Sequence, residues 1–355
     1  MNSAWLPNRH LKTPVLVLFG PTASGKTALL EQIFASGEMQ AEIISADSMQ
    51  VYRGMDIGTA KPSLKEREKI PHHLIDLRDP KEQFNAGEFV HLAEEGCLDI
   101  AGRGKLPVVS GGTGFYLKNL ILGLPEAPPS DMEIRLLLKQ ELLERGAATL
   151  MEELSKADPV SASRIHVNDE YRLLRALEVL RLTGRPLSSF TSPCVKIRKE
   201  NHRDHGVSRR NDKKSNQNSV FLRVLRGNTL CFFLIGLKRS REELYRRINE
   251  RTAAMFRAGL PTEVKRLYDA GYTPEDPGLR AIGYREFFVI DNGAWRLSED
   301  LAGVEALVAQ NSRRYAKRQI TFFASLPNIK WVDCGENIAS EIESLLQNQW
   351  LKPGK

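Results

Sequence analysis

Eight residues near the start of the chain, Gly20-Pro21-Thr22-Ala23-Ser24-Gly25-Lys26-Thr27, have the types and spacing of a phosphate-binding turn. Gly20 and Gly25 let the backbone curl until its N–H groups point inward at phosphate oxygens, and the dipole of the following helix adds to that field. Lys26 then reaches the terminal phosphates, and the Thr27 hydroxyl suits Mg²⁺. The loop reads as a site for a polyphosphate or a diphosphate, without saying which. A second chemical group is Asp47, at the head of Asp47-Ser48-Met49-Gln50-Val51-Tyr52. It reads three ways: a carboxylate on Mg²⁺, a helix N-cap, or a general base facing a nucleophile beside the bound phosphates. Its position alone leaves all three open. A third is Thr113, a hydroxyl set among glycines in Gly111-Gly112-Thr113-Gly114.

Each group follows an apolar run. Val15–Phe19 precedes the glycine loop, Ala41–Ser45 precedes Asp47, and Leu106–Ser110 precedes Thr113. Open α/β sheets bind ligands at the carboxyl ends of their strands, so three such ends converge on one edge. The fold expected is α/β: a P-loop doubly wound parallel sheet core with a helical insertion domain. Pro71–Asp76 adds a short strand and Phe84–Ala101 a helix. The proline cluster at 125–129 marks a boundary. Beyond it, Asp131–Gly184 is helical in pattern, broken at Gly146 and at Asp158-Pro159. Its last helix is capped near Asn168-Asp169 and ends at Gly184. Leu230–Leu237 returns to a buried strand, and Ser240 with Glu243 has capping-box spacing at the next helix. A further helix is expected over Thr262–Ala270. The boundaries expected are 12–127 for the first part of the core, 128–190 for the helical insertion, 195–228 for a flexible basic loop and 229–345 for the rest of the core.

The chain has 355 residues and a formal net charge of +7, which suits a polyanionic partner. The basic residues are unevenly spread. On the helix around Ser312, Arg313, Arg314, Lys317 and Arg318 fall within an arc of about 140°, a good phosphate surface. Four scattered cysteines without a C-x-x-C pair point to a reducing compartment. No apolar run approaches the ~20 residues of a membrane span, and a cytoplasmic, monomeric protein with no membrane partner is expected. An N-K-x-D element is missing, which counts against a GTPase, and the H-R-D and D-F-G pair of protein kinases is missing too. His72 and His73 have no acid or histidine at ligand spacing, so a metal site there is not expected. Asp76 and Asp79 read as turn and packing residues.

Gly20–Thr27, the long block Ile44–Pro62 and Gly111–Tyr116 closely resemble the bacterial tRNA dimethylallyltransferase family. Asn168-Asp169 with Arg172 and Arg175, Ile282–Arg285 and Lys317–Thr321 extend the resemblance, in the family's order, from about residue 14 to 335. The resemblance implies transfer of a dimethylallyl group from dimethylallyl diphosphate to the N6 of an adenine beside the anticodon in tRNA, with release of diphosphate. It implies that Gly20, Pro21, Thr22, Ala23, Ser24, Gly25, Lys26 and Thr27 hold the diphosphate, with Mg²⁺ as cofactor on Thr27. Asp47 would act as the base, with Thr113 and Arg241 as further catalytic residues, Arg241 joining Lys26 in holding the diphosphate. Contacts to the tRNA anticodon stem-loop would come from Asp47, Ser48, Met49, Gln50, Thr113, Arg135, Tyr171, Arg172, Leu173, Leu174 and Arg175. Others would come from Arg280, Ala281, Ile282, Gly283, Tyr284, Arg285, Lys317, Arg318, Gln319, Ile320, Thr321, Phe322, Phe323 and Ala324. The target base would have to leave its stack to reach a recessed diphosphate.

One departure from the family is an insertion of about thirty residues between the Gly184-Arg185-Pro186 turn and the strand at Phe232, rich in basic and asparagine side chains. Two other functions fit the P-loop. One is an ATP-dependent small-molecule or nucleotide kinase, with Lys26 on the γ-phosphate and Asp47 as base. The other is a non-catalytic RNA-binding protein with a relict loop. The Asp47–Pro62 block and the basic arc disfavour the kinase.

Overall fold

The computed structural model describes residues 13–35, 39–190, 221–225, 228–335 and 337–350. The chain divides into two compact units, Met1–Ile121 with Lys196–Lys355, and Leu122–Val195.

The first unit is built on β1 (Thr13–Phe19), α1 (Lys26–Phe34), β2 (Ala41–Ser45), α2 (Leu64–Lys69), β3 (His72–His73), α3 (Ala86–Gly102), β4 (Leu106–Gly111) and α4 (Gly114–Leu122). Its central strands β1, β2 and β4 each end in five consecutive buried residues, as a parallel sheet between helix layers requires. Residues of alternate parity diverge accordingly. Leu16, Leu18, Ile43 and Val108 share a core with α1, while Gly96 of α3 brings its backbone close to the Ile44 side chain on the opposite face. Both α2 and α3 open with reciprocal capping boxes, Ser63 with Glu66 and Asn85 with Glu88.

The second unit contains α5 (Met132–Ala157), α6 (Pro159–Ala162) and α7 (Glu170–Thr183). Its core is a leucine cluster including Leu138, Leu150, Leu154, Leu173 and Leu177. The expected breaks are real. Gly146 interrupts α5 at φ 78° and ψ 158°, a region that only glycine enters readily. Asp158 caps α6, and Gly184 closes α7 in the left-handed region. Buried Glu178 accepts hydrogen bonds from Ser130 Oγ at 2.6 Å and Asp131 N at 2.7 Å, which fixes the entry to α5.

The first unit resumes with β5 (Phe221–Leu225), β6 (Asn228–Lys238), α8 (Arg241–Arg257), α9 (Leu260–Asp269), the hairpin β7 (Phe288–Asp291) and β8 (Ala294–Leu297), α10 (Leu301–Phe323), β9 (Lys330–Asp333) and α11 (Ile338–Trp350). The main sheet runs β3-β2-β4-β1-β6, all parallel. The outer margin of β6 is divided: β5 pairs antiparallel along Asn228–Phe232, and β9 parallel along Ile235–Lys238. The expected doubly wound P-loop sheet is therefore present, with one antiparallel strand added.

Three local expectations need correction. The segment 195–228 was expected as a loop throughout, but Phe221–Leu225 is a strand. Its apolar and β-branched residues find a ladder along the start of β6. Residues 195–220 lie outside the described residues. Ser240 does cap α8 by accepting from Glu243 N at 3.2 Å, but the Glu243 carboxylate binds Arg246 at 2.9 Å and does not complete the box. Finally, α9 starts at Leu260, ahead of the expected Thr262, because Gly259 caps it at φ 101° and Pro261 suits a first helical turn.

Candidate active site

Three loops meet at the carboxyl ends of β1, β2 and β4. The glycine loop turns tightly enough that a Cβ on Gly20 would lie 2.9 Å from Ser24 Oγ and 3.1 Å from Leu237 Cβ. Beyond β2, Ala46 N donates to Ser110 O at 2.8 Å, and Thr113 N returns a bond to Ala46 O at 3.1 Å. A Cβ on Gly111 would sit 2.1 Å from Ala46 O, so only bare backbone lets these two loops approach. Thr113 Oγ1 accepts from Ser48 N at 3.0 Å, and Asp47 Oδ1 accepts from Met49 N at 2.9 Å. Asp47 heads a turn rather than a helix, which removes the N-cap reading.

Lys26 Nζ donates to Gly20 O at 2.9 Å and Pro21 O at 3.1 Å, folded back across its own loop. Burial, with Arg251 nearby, lowers its pKa to about 8, against the attraction of Asp47. The arginines on the loop are not the one expected. Arg239 Nε donates to Ser24 O at 2.8 Å, Arg247 Nε to Ala23 O at 2.9 Å, and Arg251 approaches Thr22 Oγ1 at 3.4 Å. Arg241 instead lies exposed at the first turn of α8, its guanidinium 5.1 Å from the centre of the Tyr245 ring, and lines neither cavity described below. Helical geometry explains the exchange. Arg247 and Arg251 are one turn apart and share a face, whereas the first residue of α8 points away from the loop.

Two cavities open here, and Asp47 is in the wall of both. The smaller, about 60 Å³, is lined by Lys26, Thr27, Ser45, Gln50 and Ser110 besides Asp47. His72 also lines it, with Nδ1 donating to Ile70 O at 2.7 Å and its pKa lowered by burial. His73 is held elsewhere, by Glu42 at 2.7 Å. The larger cavity, about 300 Å³, is lined by Ser48 and Met49 on one side, by Arg251, and by Tyr315 and Arg318 of α10. Arg280, Ala281, Ile282, Gly283 and Arg285 close its far wall. Burial, with Asp47 adding to it, pushes the Tyr315 hydroxyl up to about 12.

That far wall is held by Glu263, a buried carboxylate at the start of α9. It accepts from the backbone N–H groups of Asp56, Ile57 and Gly58 at 3.0 to 3.3 Å and from the Tyr284 hydroxyl at 2.6 Å. Lys61, almost wholly buried, donates to Tyr52 O at 2.8 Å and pairs with Asp56 and Asp76. The block Asp47–Pro62 is thus a wired loop, not a free one.

Burial divides the residues carried over as tRNA contacts. Lys317, Arg318, Ile320, Thr321 and Ala324 are exposed along α10, as are Tyr171 and Arg172 on α7. Leu173, Leu174, Ala281, Tyr284, Gln319 and Phe323 are buried and present almost no side-chain surface to a polynucleotide. Arg175 is turned inward onto Glu178 at 3.0 Å and onto Pro128 O, so it serves the second unit's interior. Arg135 stacks over the exposed Tyr171 ring at 4.7 Å. Sequence reading missed Arg239, Arg247, Arg251 and Tyr315. The i, i+4 spacing of Arg247 and Arg251 was the one available signal.

A parallel sheet with a glycine loop after its central strand, a lysine on that loop and an acid at the neighbouring strand end defines a P-loop α/β protein. Comparison with known proteins narrows the class. The family described as IPP transferase matches residues 50–326. A tRNA dimethylallyltransferase of Geobacter sulfurreducens is 40% identical over 329 residues, covering 93% of this chain and 94% of its own. The solved full-length tRNA isopentenylpyrophosphate transferase of Bacillus halodurans superposes with a TM-score of 0.61 at 34% identity, covering 95% of this chain and 96% of its own. A eukaryotic dimethylallyltransferase acting on tRNA superposes at 0.69 with 25% identity, over 97% of this chain and 81% of its own. The chain belongs to the IPP transferase family and is an enzyme of it. The kinase and the non-catalytic alternative give way to that assignment.

Proposed function

We propose that this enzyme transfers a dimethylallyl group from dimethylallyl diphosphate to the N6 of the adenosine adjacent to the anticodon in tRNA, releasing diphosphate. The observation that carries the reading is the shared position of Asp47. One carboxylate borders both the small cavity beside Lys26 and Thr27 and the larger cavity walled by α10. The diphosphate occupies the glycine-loop side, under Lys26 and the arginines of α8. The flipped adenine occupies the larger cavity, whose volume is at the low end of small-ligand sites.

In the reaction N6 attacks the allylic carbon as the carbon–oxygen bond to diphosphate breaks. The displaced N6 proton passes to an Asp47 carboxylate oxygen, and the electron pair of the broken bond leaves on the diphosphate. Lys26, Arg247 and Arg251 neutralise the charge that develops on the leaving oxygens. An aromatic amine is a weak nucleophile, so holding it in line with the allylic carbon contributes more than basicity does. Thr113, bonded to Ser48 N, keeps the Asp47 loop at its distance from the glycine turn.

Mg²⁺ fits the smaller cavity, where Thr27, Ser45 and Asp47 offer hard oxygen donors. Among the described residues no three His, Cys, Asp or Glu side chains cluster to hold a metal unaided. Thr27 would therefore hold the ion together with diphosphate oxygens and water. When bound, Mg²⁺ supplies charge neutralisation to the leaving diphosphate. Exposed Lys317 and Arg318, with Arg280 and Arg285 at the cavity rim, meet the tRNA backbone. The enzyme acts as a cytoplasmic monomer. Among the described residues no helix is long and apolar enough to cross a membrane.

The test is single-turnover transfer of radiolabel from dimethylallyl diphosphate to unmodified tRNA by wild type and Asp47→Ala. Label on one adenine, falling at least ~100-fold in the variant, supports both the activity and the base. Transfer with little loss in the variant demotes Asp47 to positioning, and no transfer by wild type overturns the reading.

A further inference from the structure

Gln319 bonds to both the glycine loop and the turn after β4. It is buried, at 5% exposure, on the face of α10 turned toward the sheet. Its Oε1 accepts from Thr22 N at 2.8 Å, and its Nε2 donates to Gly112 O at 2.7 Å. The fit is tight: a Cβ on Gly112 would lie 2.5 Å from that same Nε2. One turn earlier on α10, the Tyr315 hydroxyl lies beside the Gln319 and Thr113 side chains, and Tyr315 lines the larger cavity. Thr113 in turn holds Ser48 N. Through this amide and its neighbour, α10 reaches all three strand-end loops.

A primary amide is the side chain suited to the task. It accepts from an N–H and donates to a C=O from the same planar end, whereas a carboxylate accepts only and a thioether does neither usefully. We propose that Gln319 is a positioning residue, locking the glycine loop to the Gly112–Thr113 turn so that the donor's reacting carbon and Asp47 keep one register. The inference rests on the reading that the glycine loop holds the diphosphate. It differs from the contact role that family resemblance implied for Gln319, because a buried side chain with both polar ends bonded inside the protein presents almost no surface to tRNA. A displacement of about 1 Å between reacting groups is enough to cost on the order of 100-fold in rate, while leaving each binding surface in place.

The experiment compares wild type with Gln319→Met, Gln319→Glu, Gly112→Ala and the Gly112→Ala/Gln319→Met pair. Four quantities are read: single-turnover rate at saturating substrates, Kd for tRNA, Kd for inorganic diphosphate by calorimetry, and Tm. Gln319→Met is expected to slow transfer at least ~30-fold, with tRNA Kd within about twofold of wild type. Gln319→Glu retains the bond to Thr22 N and is expected to fall between them. Gly112→Ala displaces the amide by a different route and should reproduce the loss. The double variant should be no slower than the slower single one, since both break the same link.

An unchanged rate in Gln319→Met overturns the proposal. So does a rise of about tenfold in tRNA Kd with the saturated rate intact, which would make Gln319 a tRNA contact. If Gln319→Met does not fold, Gly112→Ala decides alone: a slowed rate supports the link and a wild-type rate overturns it. Wild type failing to bind diphosphate, or Lys26→Ala binding it equally well, overturns the assignment of the glycine loop instead.

Discussion

Lys26 joins loop geometry to proton chemistry. Its pKa, near 8, is below the 10.5 of a free lysine, so the unfolded chain binds the extra proton between about pH 8 and 10.5. Over that window this group adds to folding stability as pH rises, because the neutral amine is the form that burial tolerates. Diphosphate binding runs the other way, since it needs the ammonium. We expect calorimetric affinity for diphosphate to fall as pH rises through about 8 in wild type, and Lys26→Arg to remove that fall. A flat profile in wild type would show that Lys26 does not meet the anion. This lysine was legible in the sequence because the glycine loop is local: eight consecutive residues carry the whole signal. Tyr284 was not. Its ring fills the space against Gly58, where a Cβ would lie 2.5 Å from it, and its hydroxyl is spent on Glu263. A tyrosine in a turn between two arginines reads as a surface residue until the packing that buries it is known.

At the scale of elements, what was legible is the set of strands that carry the site. Buried-type apolar runs ending in glycine or aspartate mark carboxyl ends of parallel strands, and all three were found that way. The helices were harder. The direction in which α8 presents its arginines depends on the turn at which it docks, and sequence names the basic residues without naming the face. The same limit hid the ionic fastening of β2. Glu42, almost wholly buried, pairs with Arg103, with Lys105 at 2.7 Å and with His73 at 2.7 Å. Its hydrogen bond to Arg103 is the chief cause that lowers the carboxyl pKa to about 2. A carboxyl lowered in the fold stabilises fully above its unfolded pKa of 4.5 and loses that contribution as pH falls toward 2. Glu42→Ala should cost about 3 kcal/mol in urea unfolding at neutral pH, by removing the buried carboxylate that Arg103, Lys105 and His73 share. The difference from wild type should shrink as the pH is lowered through about 4.5 to 2.

For the whole molecule, charge is the clearest quantity in the sequence. Residues 195–220 hold eight basic and three acidic side chains, so they carry five of the seven net positive charges of the chain. Without them the protein would be close to neutral. We expect removal of 195–219 to flatten the dependence of tRNA binding on salt concentration while leaving the saturated transfer rate within about twofold of wild type. An unchanged salt slope would mean that phosphate contacts come from the rims of the cavity alone. The two units divide between Ile121 and Leu122, a few residues ahead of the proline cluster at 125–129. The strand at Phe221–Leu225 was missed because a basic, polar segment precedes it and masks its short apolar pattern.

The divided margin of β6 bears on how copies of this protein behave when crowded. A long bare strand invites a neighbour to add its own backbone, which is how sheets recruit copies of themselves. Here one side of the main sheet ends in the two residues of β3. The other side ends in β5 and β9, which run in opposite senses beside the same strand. An incoming chain extending along that side would have to change from one pairing geometry to the other midway, on two short segments. Among the described residues the main sheet therefore presents only short templates, none longer than the five residues of β5. The added antiparallel strand thus contributes to keeping one copy from growing onto the next.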